Sequence, residues 1–381
     1  MDHPVSFNSP AWSEGIVPTP LPLFEDDVQV DACVIGLGGS GLACIHELLR
    51  LGQSVIGLDA ATVGGGAAGS NGGFLLAGVA AFYHDAVTGL GRERARRIYE
   101  LTLREMDRIT TETPAVVHRS GSLRIASSQA EEQDCKLQLA AMRADGFDVS
   151  PHDGPDGRGL IFPKDGSFNP LARCYILAQR AVEFGARLFE HSRAISFANG
   201  EVRTTSGRVR CKHIIIAVDG NLESVLPELA GRVRTSRLQM LATGPAREVY
   251  IPRPVYSRWG YDYWQQLSDG RVVVGGCRDR FAATEWTSDA RPSTEVQDCL
   301  EQLLRETVGV QQPIQHRWAA SVGYSSGILP VIDQVRRGVW AIGGYNGTGN
   351  VIGTLYGRTV AQLVVNGTSD LLAPFIPDVH I

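Results

Sequence analysis

Gly36, Gly38 and Gly41 form a G-x-G-x-x-G pattern between the apolar run Asp31-Ala-Cys-Val-Ile-Gly36 and a helical pattern over Leu42–Leu51. In that setting the first glycine allows a tight turn, the second lets a diphosphate reach the backbone, and the third lets helix and strand pack closely. The helix start, with Gly39 and Ser40 just ahead of it as further cofactor-binding candidates, offers free N–H groups and the positive end of a dipole to that diphosphate. Ser54–Leu58 reads as a second buried strand. Asp59 closes it and is placed to accept the hydroxyls of an unphosphorylated adenosine ribose.

A second glycine loop, Gly64-Gly-Gly-Ala-Ala-Gly69-Ser70-Asn71-Gly72-Gly73, follows directly. A nicotinamide enzyme would continue here into an ordinary helix. Another glycine loop instead predicts a longer cofactor pressed against backbone, which favours FAD over NAD. The third is Gly343-Gly344-Tyr345-Asn346-Gly347-Thr348-Gly349, with a helix behind it from about Asn350 to Asn366. A flavin gains negative charge along its pyrimidine edge on reduction, and a helix N-terminus aimed there would stabilise it.

Arg258-Trp-Gly-Tyr261-Asp-Tyr263-Trp264 is the densest aromatic stretch. Read as a strand, it puts Trp259, Tyr261 and Tyr263 on one face and Arg258, Asp262 and Trp264 on the other. Tyr hydroxyls and an Arg fork can hold a carboxylate, and aromatic faces attract an ammonium. Arg258, Tyr261 and Tyr263 are therefore the substrate-facing candidates, with Arg278, Arg280 and Arg317 as further anchors. His84 and His316 are read as structural. Neither H-E-x-x-H nor a His pair four apart occurs, so no metal is expected.

The pattern resembles the D-amino-acid oxidase, glycine oxidase and sarcosine oxidase superfamily, and within it the γ-glutamylputrescine oxidoreductase-like branch. The resemblance runs from Trp12 in the Pro-rich start through Asp31–Gly41, the Gly64–Gly73 loop, Asp165-Gly166 with Asn169-Pro170, and Ile214–Asp219 to Leu226-Pro227. It continues through Tyr261–Gly276 and Gly343–Gly357. It implies that Gly36, Gly38, Gly41 and Asp59 bind the ADP half, and that Ser70, Asn71 and Gly72 lie by the ribityl chain and flavin ring. It further implies that Ala194, at a strand start, meets adenine, and that Gly344, Gly347 and Thr348 face the flavin's pyrimidine edge. Ala60, Gly66, Ala67 and Asn346 would line the same cofactor. Three positions depart from the branch: Asp59 where Glu is commoner, Ser70 where Arg often precedes Asn-Gly-Gly, and Asp333 where Gly is usual. With no cysteine in the terminal flavin segment, the FAD is expected to be noncovalent.

These residues must be held by an α/β chain with an α+β second domain: a Rossmann-like FAD-binding domain and a discontinuous substrate domain built on an antiparallel sheet. The expected division is an extension over 1–27, an FAD-binding domain over 28–83, 151–230 and 328–381, and a substrate-binding domain over 84–150 and 231–327. Helices are expected over Gly91–Glu112, Gln129–Gly146, Asn169–Gly185 and Ser293–Val308. The alternating segments Leu238–Thr243, Tyr261–Leu267, Arg271–Gly275 and Ile314–Val322 should supply the second sheet.

The 381 residues allow two full-sized domains, and a net charge of −5 gives no reason to expect nucleic acid or an anionic membrane as partner. The start lacks a basic stretch followed by an apolar core, and nothing approaches a membrane span, so the cytoplasm is the expected compartment. The seven cysteines are odd in number and show no C-x-x-C, which reads as buried thiols in a reducing compartment. The reaction implied is hydride transfer from the carbon of a small amine or amino acid to flavin N5. The imine then hydrolyses, and O2 takes the electrons to give H2O2. The alternatives are a dehydrogenase feeding an electron carrier, a nicotinamide enzyme, and a flavin-binding protein without turnover.

Overall fold

The computed structural model describes residues 5–376. Its first sheet is parallel at the centre. Strand Asp27–Ile35 lies between Val55–Leu58 and Arg208–Ile216, with Arg187–Phe189 beyond the former and Val339–Gly343 beyond the latter. Cys33 pairs with Ile56 on one side and with Ile214 on the other, and all three are fully buried. Such continuously apolar strands suit a parallel sheet covered on both faces. Helices Gly39–Arg50, Pro170–Glu183 and Ile352–Asn366 cover one face through Leu42, Leu177 and Leu355. Asn169 caps the middle helix as its sequence predicts, its side-chain oxygen accepting from Ala172 N at 3.0 Å, with Pro170 in the first turn.

The second sheet has nine strands and is mostly antiparallel. Its backbone is the long pair Val233–Pro245 with Ile314–Ser325, followed in order by Arg271–Gly275, Asp262–Gln266, Val255–Ser257, Ser122–Ile125, Gly157–Phe162 and Ser150–Gly154. Helix Thr294–Gln302 seals one face, with Leu300 packed among Leu241, Val272 and Val274. The single helix expected to Val308 stops earlier, and Leu303–Val308 winds as a π-helical turn. A small third sheet joins Phe74–Leu75, Gly166–Phe168 and Val117–His118.

Several expectations need correction. Gly157–Phe162 pairs with Ser122–Ile125, and Ser150–Gly154 pairs with Gly157–Phe162, so the nine-stranded sheet runs on past 151 to Phe162. The extension over 1–27 is also not separate, since Ser6–Phe7 adds an edge strand to the second sheet. Cys277 and Cys299 are joined as a disulfide, so those two are not free thiols, and the pairing removes the support they gave to a reducing compartment. The remaining five are buried and free.

The aromatic stretch does not form one strand. Arg258 and Trp259 have φ of 51° and 55°, and Gly260 follows at 85°, so the chain makes a left-handed turn before the strand begins at Asp262. Two side-chain-bearing residues in that region carry strain that neighbouring contacts must hold. The carboxylate of Glu131 accepts from Trp259 N at 2.7 Å, and Arg258 bonds to Asp262 at 3.0 Å and to Asp279.

Candidate flavin and substrate cavity

One cavity of about 1000 Å3 runs between the two large sheets, and all three glycine loops reach it. At one end lie Gly36, Gly38, Gly39 and Ser40, where the first strand turns into its helix. A Cβ on Gly36 would stand 2.6 Å from the Ala217 carbonyl oxygen, so the backbone there comes as close to its neighbour as it can. Gly41 faces away from the cavity and packs on the Gly36 carbonyl. Gly39 has open space at its Cβ position, in the first turn, where the N–H groups have no intrahelical acceptor.

Asp59 is held on the wall by Leu37 N and Ala61 N, each at 2.8 Å from one of its oxygens. Burial pushes its carboxyl up, and these two N–H groups pull against that. Each oxygen keeps a lone pair for a further donor. Ala60 lines the wall beside it, and so does Arg193. Ala194 does not: the next strand starts only at Ser196, and Ala194 packs into the core beneath the parallel sheet.

The second loop is fixed by donors from three separate elements. Trp318 Nε1 bonds to the Ser70 carbonyl at 2.8 Å, Trp12 Nε1 to the Asn71 carbonyl at 2.8 Å, and Gln265 Nε2 to the Gly72 carbonyl at 2.5 Å. Asn71 itself bridges, donating to Ala67 and Ala68 carbonyls and accepting from Gly73 N at 2.8 Å and Asn350 Nδ2 at 3.0 Å. In a trans peptide the N–H points opposite to the C=O before it. Tying the carbonyls of Ser70 and Asn71 to the indoles therefore turns the N–H groups of Asn71 and Gly72 the other way. Neither donates to any described residue. Gly66, Ala67, Ser70, Asn71 and Gly72 all line the cavity.

Asn346, Gly347 and Thr348 of the third loop line it as well, together with Gly349, Asn350 and Val351. Among the described residues the N–H groups of Gly347, Gly349, Asn350 and Val351 have no acceptor, and the helix from Ile352 begins directly behind them. Gly344, at φ 68°, turns toward Val233 and Ser325 and does not reach the cavity. Asp219, unremarked as a site in the sequence, anchors this loop. It accepts from Gly323 N at 3.0 Å and Tyr345 N at 3.1 Å, and burial raises its carboxyl to about 6 against those bonds. Its signal was an acid closing a buried strand, as Asp59 does.

The far end is aromatic, with Phe74, Tyr99, Phe162, Tyr256, Trp259 and Tyr263 on its walls. Tyr263 lies edge-on to Phe74 and over Gly72 and Gly275, and its hydroxyl bonds to no described residue. Tyr261 is at the surface and Arg258 is committed to Asp262 and Asp279, so neither reaches the cavity. Arg278 has no acidic partner among the described residues, and its guanidinium lies 4.5 Å over Tyr324, another wall residue. Asp165 is fully buried on the same side, bonded to Ser122 Oγ at 2.6 Å and Ala77 N at 3.2 Å, and burial raises it to about 7. His316 is bonded to Glu14 at 2.6 Å. His84, Asp85 and Asp134 cluster within reach of a common ion, but Arg124 already neutralises Asp134.

A long cavity edged by unpaired N–H groups at both ends of its glycine-rich half fits an elongated cofactor carrying a diphosphate and an electron-accepting ring. The chain belongs to the FAD dependent oxidoreductase (DAO) family, whose model matches residues 31–363. It is therefore an FAD-dependent oxidoreductase of that family. It is 26% identical to a probable oxidoreductase of Rhizobium meliloti over 95% of this chain and 89% of the relative. It is 24% identical to the gamma-glutamylputrescine oxidoreductase of Escherichia coli over 91% and 86%. The fold matches glycine oxidase from Geobacillus kaustophilus with a TM-score of 0.74 at 20% identity, covering 93% of this chain and 99% of that one. It also matches L-proline dehydrogenase from P. horikoshii at 0.73 and 18%, covering 93% and 96%. No described helix is long and apolar enough to cross a membrane.

Proposed function

We propose that this enzyme oxidises the C–N bond of a small amine or amino acid, using noncovalent FAD and passing the electrons to O2. The observation that carries the reading is the division of one cavity into a half rich in free backbone N–H groups and a half walled by aromatic rings. The names of its relatives, an oxidoreductase of γ-glutamylputrescine, a glycine oxidase and a proline dehydrogenase, point to the same bond. FAD, when bound, supplies the two-electron acceptor.

The chain's own part is to bind and orient. Gly39, Ser40, Asp59 and Ala60 would hold the ADP half, Gly66, Ala67, Ser70, Asn71 and Gly72 the middle, and Asn346, Gly347 and Thr348 the ring's far edge. The aromatic end excludes water and presents π faces to an ammonium. Tyr263 lays its ring edge on Gly72 and offers an uncommitted hydroxyl beside Gly275. Of Arg258 and Arg278, neither of which lines the cavity, only Arg278 has no acidic partner among the described residues, so it would be the guanidinium left to meet a carboxylate past the wall residue Tyr324. Asp165, poised near neutrality, can take the proton that an ammonium must lose before its C–N bond is oxidised. Domain roles follow the sheets: the parallel sheet carries the cofactor and the nine-stranded sheet the substrate wall.

The test is anaerobic mixing of the flavin-loaded protein with a panel of primary amines, secondary amines and amino acids. Bleaching of the flavin by at least one, with H2O2 formed when air is admitted, is the expected result. Bleaching without H2O2 makes it a dehydrogenase with a separate electron carrier, and bleaching by none overturns the reading.

A further inference from the structure

A second cavity of about 440 Å3 opens between helices Gly39–Arg50, Arg92–Glu112 and Pro170–Glu183. Its lining includes His46, Arg108, Glu112, Arg173, Arg180 and Phe184. None of them belongs to the glycine loops or to the aromatic substrate wall.

The charges here do not balance. Arg50, also on the rim, is matched by Glu47 at 2.8 Å, and Glu47 is further taken up by Gln362. That leaves Arg108, Arg173 and Arg180 facing Glu112. Arg108 Nε bonds to Glu112 Oε1 at 2.6 Å, and Arg180 donates to the Glu112 backbone carbonyl. Arg173 reaches Glu112 Oε2 only at 3.5 Å, and its Nε has no partner, although its side chain is 4% exposed. A guanidinium stays charged and carries five donors. Burying one with its Nε unpartnered is unfavourable unless an anion compensates. Burial lowers His46 against the bond of its Nε2 to the Leu177 carbonyl at 2.8 Å, so it does not add to the positive charge at neutral pH. The rim is apolar on one side, where Phe184 is 70% exposed and lies edge-on to His46.

We propose that this second cavity is a binding site for a small organic oxyanion, its carboxylate or phosphate held by Arg108, Arg173 and Arg180 and its apolar body laid against Phe184. Planar guanidinium forks match both groups through paired N–H···O bonds. Arg173 also lines the flavin cavity, and its neighbour Cys174 is the residue against which Gly64 packs. The site thus stands one side chain away from the second glycine loop.

The test is calorimetric titration of the flavin-loaded enzyme with inorganic phosphate, phenyl phosphate and succinate, against sodium chloride at matched ionic strength. Saturable binding of at least one oxyanion is expected, with phenyl phosphate tighter than phosphate. Phosphate binding without succinate binding assigns the phosphate source, and the reverse the carboxylate. Arg180→Gln and Arg108→Gln, which lie on this cavity and not on the flavin cavity, should each weaken binding about tenfold or more. Arg173→Gln should abolish it. If Arg173→Gln does not fold, the other two carry the test. No heat beyond that of chloride, affinities unchanged in Arg180→Gln and Arg108→Gln, or a cavity closed by self-association of the enzyme would each overturn the proposal.

Discussion

Replacing Gly39 by alanine separates cofactor binding from folding. The new Cβ meets no protein atom within 4 Å, and Gly39 sits in the first turn of its helix with ordinary backbone angles. Alanine there should leave the apo protein as stable as before or raise its stability by about 0.5–1 kcal/mol through helix propensity. If the diphosphate rests on this turn, the methyl displaces it from a charge-assisted hydrogen bond worth about 1.5–3 kcal/mol. At about 1.4 kcal/mol per decade, the apparent Kd for FAD should rise about ten- to hundredfold. The opposite result is expected next door. At Gly41 a Cβ would overlap the Gly36 carbonyl oxygen, so Gly41→Ala should lower the stability of the apo protein by about 3 kcal/mol or more before any cofactor is added. The assay is denaturant unfolding of both apo variants beside FAD titration followed by flavin fluorescence. Should Gly39→Ala bind FAD as tightly as the parent, the diphosphate does not lie on this helix, and the assignment of the cofactor's ADP half falls with it.

Three further outcomes can be measured directly. Asp165 binds its proton more tightly folded, at about 7, than unfolded, at 3.8, so stability should fall as pH rises through that window; Asp165→Asn should flatten the dependence, worth about 4 kcal/mol at most, in melts between pH 4 and 8. Trp318→Phe removes the donor to the Ser70 carbonyl and should cost about 1–2 kcal/mol and loosen FAD; an unchanged Kd would mean that the indole bond does not shape the loop. Reducing the Cys277–Cys299 bridge, which closes a span of 22 residues, should lower stability by about 3 kcal/mol, and equal melting curves with and without dithiothreitol would refute this.

What the sequence disclosed was the chemistry that depends on short-range order. Gly36, Gly38 and Asp59 are legible because one strand, one turn and one helix set their positions within a single β-α-β unit. The three glycine loops, each coupled to a strand or helix that fixes its direction, were legible as a group, and residues of all three line one cavity. The left-handed turn at Arg258–Gly260 was not legible: Arg and Trp carry no signature for positive φ, and the turn is held by Glu131, Asp262 and Asp279. The same holds for Asp219, whose partners Gly323 and Tyr345 lie more than a hundred residues further on. The Cys277–Cys299 bridge followed from how a strand end meets a helix across the second sheet. Ala194 missed the cavity by one position, because the strand began two residues later than expected.

The strap at the start of the chain bears on how the enzyme is made. Ser6–Phe7 pairs with His316 and Arg317, and Trp12 completes the hold on Asn71, so this early segment waits for one made some three hundred residues later. Until Ile314–Ser325 has been synthesised, the edge that receives the strap does not exist. Nascent protein therefore passes through a stage in which Asp27–Ile35, Val55–Leu58 and Arg208–Ile216 can already pair while the flavin loop lacks the indole clasps of both Trp318 and Trp12.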